Sequence, residues 1–96
     1  MASAYTVPQV IEMLQAATVQ PAKLPEAISA LQTMVWKSKG WDSGLPEEIV
    51  EALSDLAYDL DFYEADPTAR AEDASYFADD RALQEIASAL RRINRR

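Results

Sequence analysis

The sequence predicts an all-α protein, a four-helix bundle or an irregular four-helix array in a single domain. Three observations predict this fold class. The chain has 96 residues, a usual length for one domain. Hydrophobic residues make up 49% and glycine occurs only twice, a composition that favours a packed helical core over sheet or disorder. Apolar residues recur at intervals of three and four along four segments, which is the period of one helix face.

The first predicted helix covers residues from about 8 to 17. Thr6 and Gln9 have the spacing of a capping box, in which each side chain binds the backbone of the other residue. Pro8 is tolerated in the first turn because the N–H that it lacks has no partner there. Pro21 then interrupts the apolar pattern and ends the segment.

The second predicted helix covers residues from about 25 to 39. Pro25 and Glu26 suit its first turn, where a missing N–H costs nothing and an acid complements the helix dipole. Gly40 is suited to a left-handed cap at its end. Trp36 and Trp41 flank this corner, and we expect them to pack there, with an exposed interface anchor as the alternative.

The third predicted helix, over about 46–64, carries the clearest period in the chain. Its apolar residues are spaced by four, three, four and three: Ile49, Leu53, Leu56, Leu60 and Tyr63. Pro67 disfavours helical geometry at the residue before it, which predicts a loop over 66–79. A last helix over about 80–94 repeats the spacing with Leu83, Ile86, Leu90 and Ile93.

Negative charge is concentrated in the middle of the chain. The whole chain has a net charge of −7, whereas residues 42–80 contain thirteen acidic residues and one basic residue, Arg70, a net charge of −12. The end of the chain reverses the sign with Arg91, Arg92, Arg95 and Arg96, which we expect to complement the helix dipole and to pair within the protein. Such an acidic surface repels nucleic acid and attracts basic partners.

The third predicted helix places acids and aromatic rings on the same side. At 100° per residue, the centre of its acidic arc lies about 115° from the centre of its apolar arc. The acidic arc consists of Glu48, Glu51, Asp55 and Asp59. Tyr58 and Phe62 project at its flank, and Tyr76 and Phe77 follow in the predicted loop. The acids are either an ordinary solvated face, with Tyr58 and Phe62 covered by the predicted loop, or part of a recognition surface for a basic protein that includes the rings. We expect Tyr76 and Phe77 to fold back on the core, with an extension of the recognition surface as the alternative.

Several function classes are disfavoured by the composition. Cysteine and histidine are absent, so thiolate chemistry and the commonest general base are missing, and we expect no enzyme activity. No glycine-rich phosphate loop and no calcium-binding loop occurs, so we expect no cofactor and no metal. No apolar run approaches the length of about 20 residues that spans a bilayer. We therefore expect a cytoplasmic protein without membrane or nucleic-acid partners.

Two segments of the second half of the chain resemble small acidic helical immunity proteins of the colicin and pyocin type. These segments are PEEIVEALSDLAYDLDFYEADP and SYFADDRALQEIASALRRI. The first also resembles small uncharacterised bacterial helical proteins. Immunity proteins neutralise a nuclease toxin with an acidic helix and a tyrosine pair. The resemblance implies that the acids of the third helix, together with Tyr76 and Phe77, contact a toxin.

Two functions therefore remain open on the sequence. The first is a non-enzymatic interaction module, immunity-like, that occludes a basic partner through its carboxylates and rings. The second is a homodimer or a structural subunit, in which exposed Trp41, Phe62 and Phe77 meet a copy of the same chain.

Overall fold

Four long helices and one single helical turn make up the protein in the computed structural model, which describes residues 5–64, 66–72 and 76–94. The all-α prediction is confirmed, and the described residues contain no strand beyond one isolated bridge. The helices are α1 (Val7–Val19), α2 (Leu24–Lys37), α3 (Glu47–Asp59), α4 (Pro67–Arg70) and α5 (Asp79–Asn94).

The four long helices form a closed arrangement. α1 packs against α2 and α5, and α3 packs against α2 and α5. Each long helix therefore covers its apolar face with two neighbours, as in a small bundle. Residues 73–75 of the predicted loop, together with Arg95 and Arg96, lie outside the described residues.

The core is built from the residues that the helical period selects. Its largest fully buried side chains are Val10, Leu14, Leu24, Leu31, Met34, Leu53, Leu60 and Ile86. Buried Ala52 of α3 and buried Ala89 of α5 line the same groove, and their small side chains suit close packing of these two helices. No polar or charged residue is buried in the described part of the chain. Every ionisable side chain that the structure describes therefore reaches the surface at least in part.

α1 begins at the predicted capping box. The Gln9 N–H donates to Thr6 Oγ1 and the Thr6 N–H donates to Gln9 Oε1, both at 3.3 Å. The helix runs two residues further than predicted, to Val19, before Pro21 starts a single 3-10 turn.

α2 begins one residue earlier than predicted and ends earlier, at Lys37. Gly40 does adopt a left-handed φ of 76°, but in the turn that follows the helix and not at its cap. Ser38, which is extended, occupies the C-cap position.

α3 is shorter than the predicted 46–64 segment. The α-helix ends at Asp59, and a 3-10 turn over Leu60–Phe62 follows. The chain then becomes extended because its backbone pairs with Phe77: the Glu64 N–H donates to the Phe77 carbonyl at 2.9 Å, and the Phe77 N–H donates to the Phe62 carbonyl at 3.0 Å. These long-range hydrogen bonds replace the last predicted helical turn.

Side-chain contacts organise the segment between α3 and α5. Asp66 Oδ1 accepts from the Thr68 N–H at 3.0 Å and so caps the start of α4, a helical turn within the predicted loop. Arg70 donates to the Glu64 carbonyl at 2.8 Å. The Tyr63 hydroxyl donates to Asp79 Oδ1 at 2.6 Å. The bond between Tyr63 and Asp79 connects the segment that follows α3 to the first turn of α5.

Candidate interaction surface

The exposed positions of α3 carry one aromatic ring and five acids, one of which is Glu47 in the first turn. We call the ring and the other four acids the α3 surface: Glu48, Glu51, Asp55, Tyr58 and Asp59. All five are exposed, while Leu53 and Leu56 on the opposite side of the helix are buried. Burial of the apolar side thus determines which carboxylates face solvent.

One border of the α3 surface meets the last turn of α2. The Tyr58 ring packs on the Trp36 ring in an edge-to-face arrangement, with centroids 6.4 Å apart and planes at 81°. Gln32 Nε2 donates to the Ala57 carbonyl at 3.3 Å and holds the two helices together at this point. Tyr58 is nevertheless 71% exposed and Trp36 47% exposed. We call these two residues the ring pair.

The other border of the α3 surface meets α5. Arg92 lies 3.5 Å from Asp55, and both side chains are largely exposed, so this ion pair adds little stability. A shallow groove runs between α3 and α5, and we call it the α3–α5 groove. Nearer to the end of α3, Asp59 and Glu85 both line this groove. Since Arg92 pairs near the middle of α3 while Glu85 approaches its end, the two helices run antiparallel.

The pKa of Asp59 lies above its ordinary value of 3.8. Partial burial in the α3–α5 groove is the main cause. Glu85 raises the pKa further, because it repels a second negative charge and accepts a hydrogen bond from protonated Asp59, and Asp55 adds to the repulsion. Arg81 opposes the shift.

We expect Asp59→Asn to stabilise the protein at pH 7. A carboxyl whose pKa is raised by folding contributes most to stability below its ordinary pKa, and the contribution is lost as pH rises through the folded pKa. The substitution removes a charge that is repelled at neutral pH, so thermal unfolding should show a gain of a few tenths of a kcal/mol, or about 1–3 °C. The gain should shrink as the pH falls through the raised pKa of Asp59, because the wild-type carboxyl then takes up its proton.

Asp61→Asn is the matched control for this substitution. It removes the same charge at an exposed position two residues beyond Asp59, in the 3-10 turn. If both variants gain the same stability at pH 7, the gain comes from the lower net negative charge of the protein. The surroundings of Asp59 in the α3–α5 groove would then not be its cause.

The remaining predicted rings lie where the chain leaves α3 and enters α5. Phe62 and Tyr76 are exposed there. Phe77 is half-buried against the core, and the Arg81 guanidinium lies 5.3 Å from the centroid of its ring. Phe77 therefore has a packing role, and it offers less free surface than the other rings.

Trp36 is the surface residue that the sequence reasoning did not select. Both tryptophans were expected to pack at the corner between α2 and α3. Trp41 does so, since it is half-buried against the core. Trp36 instead faces solvent beside Tyr58. The helical period carries a signal for this, because Trp36 lies about 100° from Val35 and outside the apolar stripe of its helix. Its pairing with Tyr58 depends on how α2 crosses α3.

The other grooves and side-chain clusters of the described residues do not point to a particular ligand. An open groove of about 420 Å³ between α1 and α2 is lined by residues that include Glu12, Met13 and Glu26. No group of three or more carboxylates in the described ranges is placed to hold a metal ion. Within the same ranges, no helix is both long and apolar enough to cross a bilayer.

Comparison with known proteins adds no family to this description. No protein-family model, no curated protein and no solved structure matches the chain.

Proposed function

We propose that this protein is a binding module for a basic protein and that the α3 surface is its contact site. One observation carries the proposal: the four exposed carboxylates and the exposed tyrosine of the α3 surface lie on one helix that contains no lysine or arginine. Carboxylates that pair with lysine or arginine, next to a rigid aromatic ring, form a common recognition surface for basic proteins.

The charges on α3 are poorly arranged for the stability of the helix itself. Glu51 and Asp55, and Asp55 and Asp59, are like charges at i, i+4, and each pair costs a few tenths of a kcal/mol in an isolated helix. Asp59 is also the last residue of α3, where the negative end of the helix dipole disfavours an acid. A cationic partner would offset all of these repulsions at once.

The proposed mechanism is occlusion of a basic surface. The net charge of −7 accelerates the encounter with a cationic partner, and the carboxylates then pair with its lysines and arginines. A basic nuclease is one partner of this kind, which agrees with the resemblance to immunity proteins. The proposed role requires no catalytic group on this chain.

The salt dependence of binding to a defined cationic probe tests this proposal. A short oligoarginine peptide, immobilised for surface plasmon resonance, represents the basic surface. We expect the association rate of the wild-type protein to fall by about tenfold or more as ionic strength rises from about 0.01 M to 1 M, because salt screens the attraction. An association rate that does not change with salt contradicts the proposal.

A homodimer is the alternative, favoured by the exposed rings of Phe62 and Tyr76. A two-fold dimer formed through the α3 surface would place like charges opposite each other, which is unfavourable. Light scattering over a concentration series separates the two proposals. A monomer at every concentration supports the binding module, whereas a stable dimer that covers Tyr58 contradicts it.

A further inference from the structure

We infer that the ring pair of Trp36 and Tyr58 is a seat for an arginine side chain of the partner. This inference rests on the proposed function and specifies its partner chemistry. The two ring planes stand at 81° to each other with centroids 6.4 Å apart, so they form two nearly perpendicular walls at the protein surface. Both rings keep a large part of their surface in water.

The surroundings of the ring pair favour a cation over a neutral apolar group. Trp36 and Tyr58 each occupy the last turn of their helix, so the negative ends of two helix dipoles converge there. Asp55 lies one turn before Tyr58 on the same face of α3. Lys37 complements the end of α2 as the basic residue of its last turn, and α3 has no such residue in its last turn.

Aromatic faces attract cations through the ring quadrupole, and tryptophan does so most strongly. The chain already contains one contact of this type, since the Arg81 guanidinium lies 5.3 Å from the centroid of Phe77. The ring pair offers the same chemistry without a described arginine or lysine over it. Tyr58 is therefore part of a binding site for a side chain of the partner. It is not a side chain that inserts into a pocket of the partner.

Arginine fits this seat better than lysine does. Its planar guanidinium stacks on a ring while its N–H groups remain free to donate to a carboxylate, whereas an ammonium group is a compact, strongly hydrated charge. Asp55 supplies the carboxylate, because its exposed pair with Arg92 exchanges readily with a partner arginine. The seat therefore predicts that the protein binds arginine side chains more tightly than lysine side chains. Attraction between opposite charges alone predicts no such preference.

The test compares oligoarginine and oligolysine peptides of equal length against four variants of the full chain. We expect the wild-type protein to bind oligoarginine more tightly, and Trp36→Leu or Tyr58→Leu to weaken that binding by about two- to fivefold each, as expected for a cation–ring contact at an exposed site. Binding of oligolysine should change less. Tyr58→Phe keeps the ring and Phe62→Leu removes a ring outside the pair, so both should bind oligoarginine like the wild type.

Thermal unfolding of each variant verifies that it is folded under the binding conditions. Equal binding of oligoarginine by Tyr58→Leu and Tyr58→Phe overturns the seat, and the proposed function still holds if that binding remains salt-sensitive. Failure of the wild-type protein to bind either peptide overturns the proposed function and the seat together. A loss of oligoarginine binding in both leucine variants, with Tyr58→Phe unchanged, supports the seat.

Discussion

Replacement of Leu53 by alanine will lower the free energy of unfolding by about 2–5 kcal/mol. Leu53 is fully buried on the core side of α3. The substitution removes apolar area from the core and leaves a cavity that the surrounding helices fill only in part. Because a domain of this size is stabilised by only about 5–15 kcal/mol, the loss is a large fraction of the total.

Urea unfolding followed by circular dichroism measures this effect as a shift of the transition midpoint. Val19→Ala is the control, since Val19 is 79% exposed at the end of α1. We expect Val19→Ala to change stability by no more than about 0.5 kcal/mol. Similar midpoints for the two variants would contradict the assignment of Leu53 to the core, and with it the orientation of the α3 surface.

Reversal of two charges on the α3 surface will weaken binding of oligoarginine by roughly 10- to 100-fold. The variant combines Glu51→Lys with Asp55→Lys, exposed positions two turns and one turn before Tyr58 on α3. Each lysine removes an attraction and adds a repulsion. Loss of the pair between Asp55 and Arg92 should affect stability little, because both side chains are largely exposed.

A second double variant separates position from total charge. Glu12→Lys with Glu26→Lys raises the net charge from −7 by the same four units, but at the groove between α1 and α2. We expect this variant to keep most of the affinity for oligoarginine, with a moderate loss of association rate. Equal losses in the two double variants would mean that the peptide responds to net charge and that α3 is not a specific site.

The helices were predictable because burial of apolar side chains dominates the fold. Leu53, Leu60 and Ile86 recur with the helical period, and any packed arrangement of amphipathic helices buries them. The capping box of Thr6 and Gln9 was predictable for a different reason, since it is a contact between residues that are close in the sequence.

The end of α3 was not predictable from the periodic pattern. Tyr63 continues the apolar stripe of the predicted helix, yet its backbone is extended because the residues on either side of it pair with Phe77. That pairing joins residues that are distant in the sequence. A helical pattern of the correct period carries no information about such a competing long-range contact.

The acids of the candidate site were predictable, but their surroundings were not. The helical period places Glu51, Asp55 and Tyr58 away from the core. The contacts that distinguish one part of the surface from another come from neighbouring helices: Trp36 of α2 on one side and Glu85 of α5 on the other. The packing of the whole chain determines which helices lie beside α3. The sequence of α3 alone does not predict these neighbours.

Mapping of the oligoarginine contact by nuclear magnetic resonance tests the central claim most directly. The isotope-labelled protein is titrated with the peptide, and changes are followed at the backbone amides and at the indole N–H of Trp36. We predict that the largest changes cluster at residues 51–58 and at the Trp36 indole. Changes centred on Glu12 and Glu26, or spread evenly over the acidic residues of the chain, would contradict a specific cation-binding surface on α3.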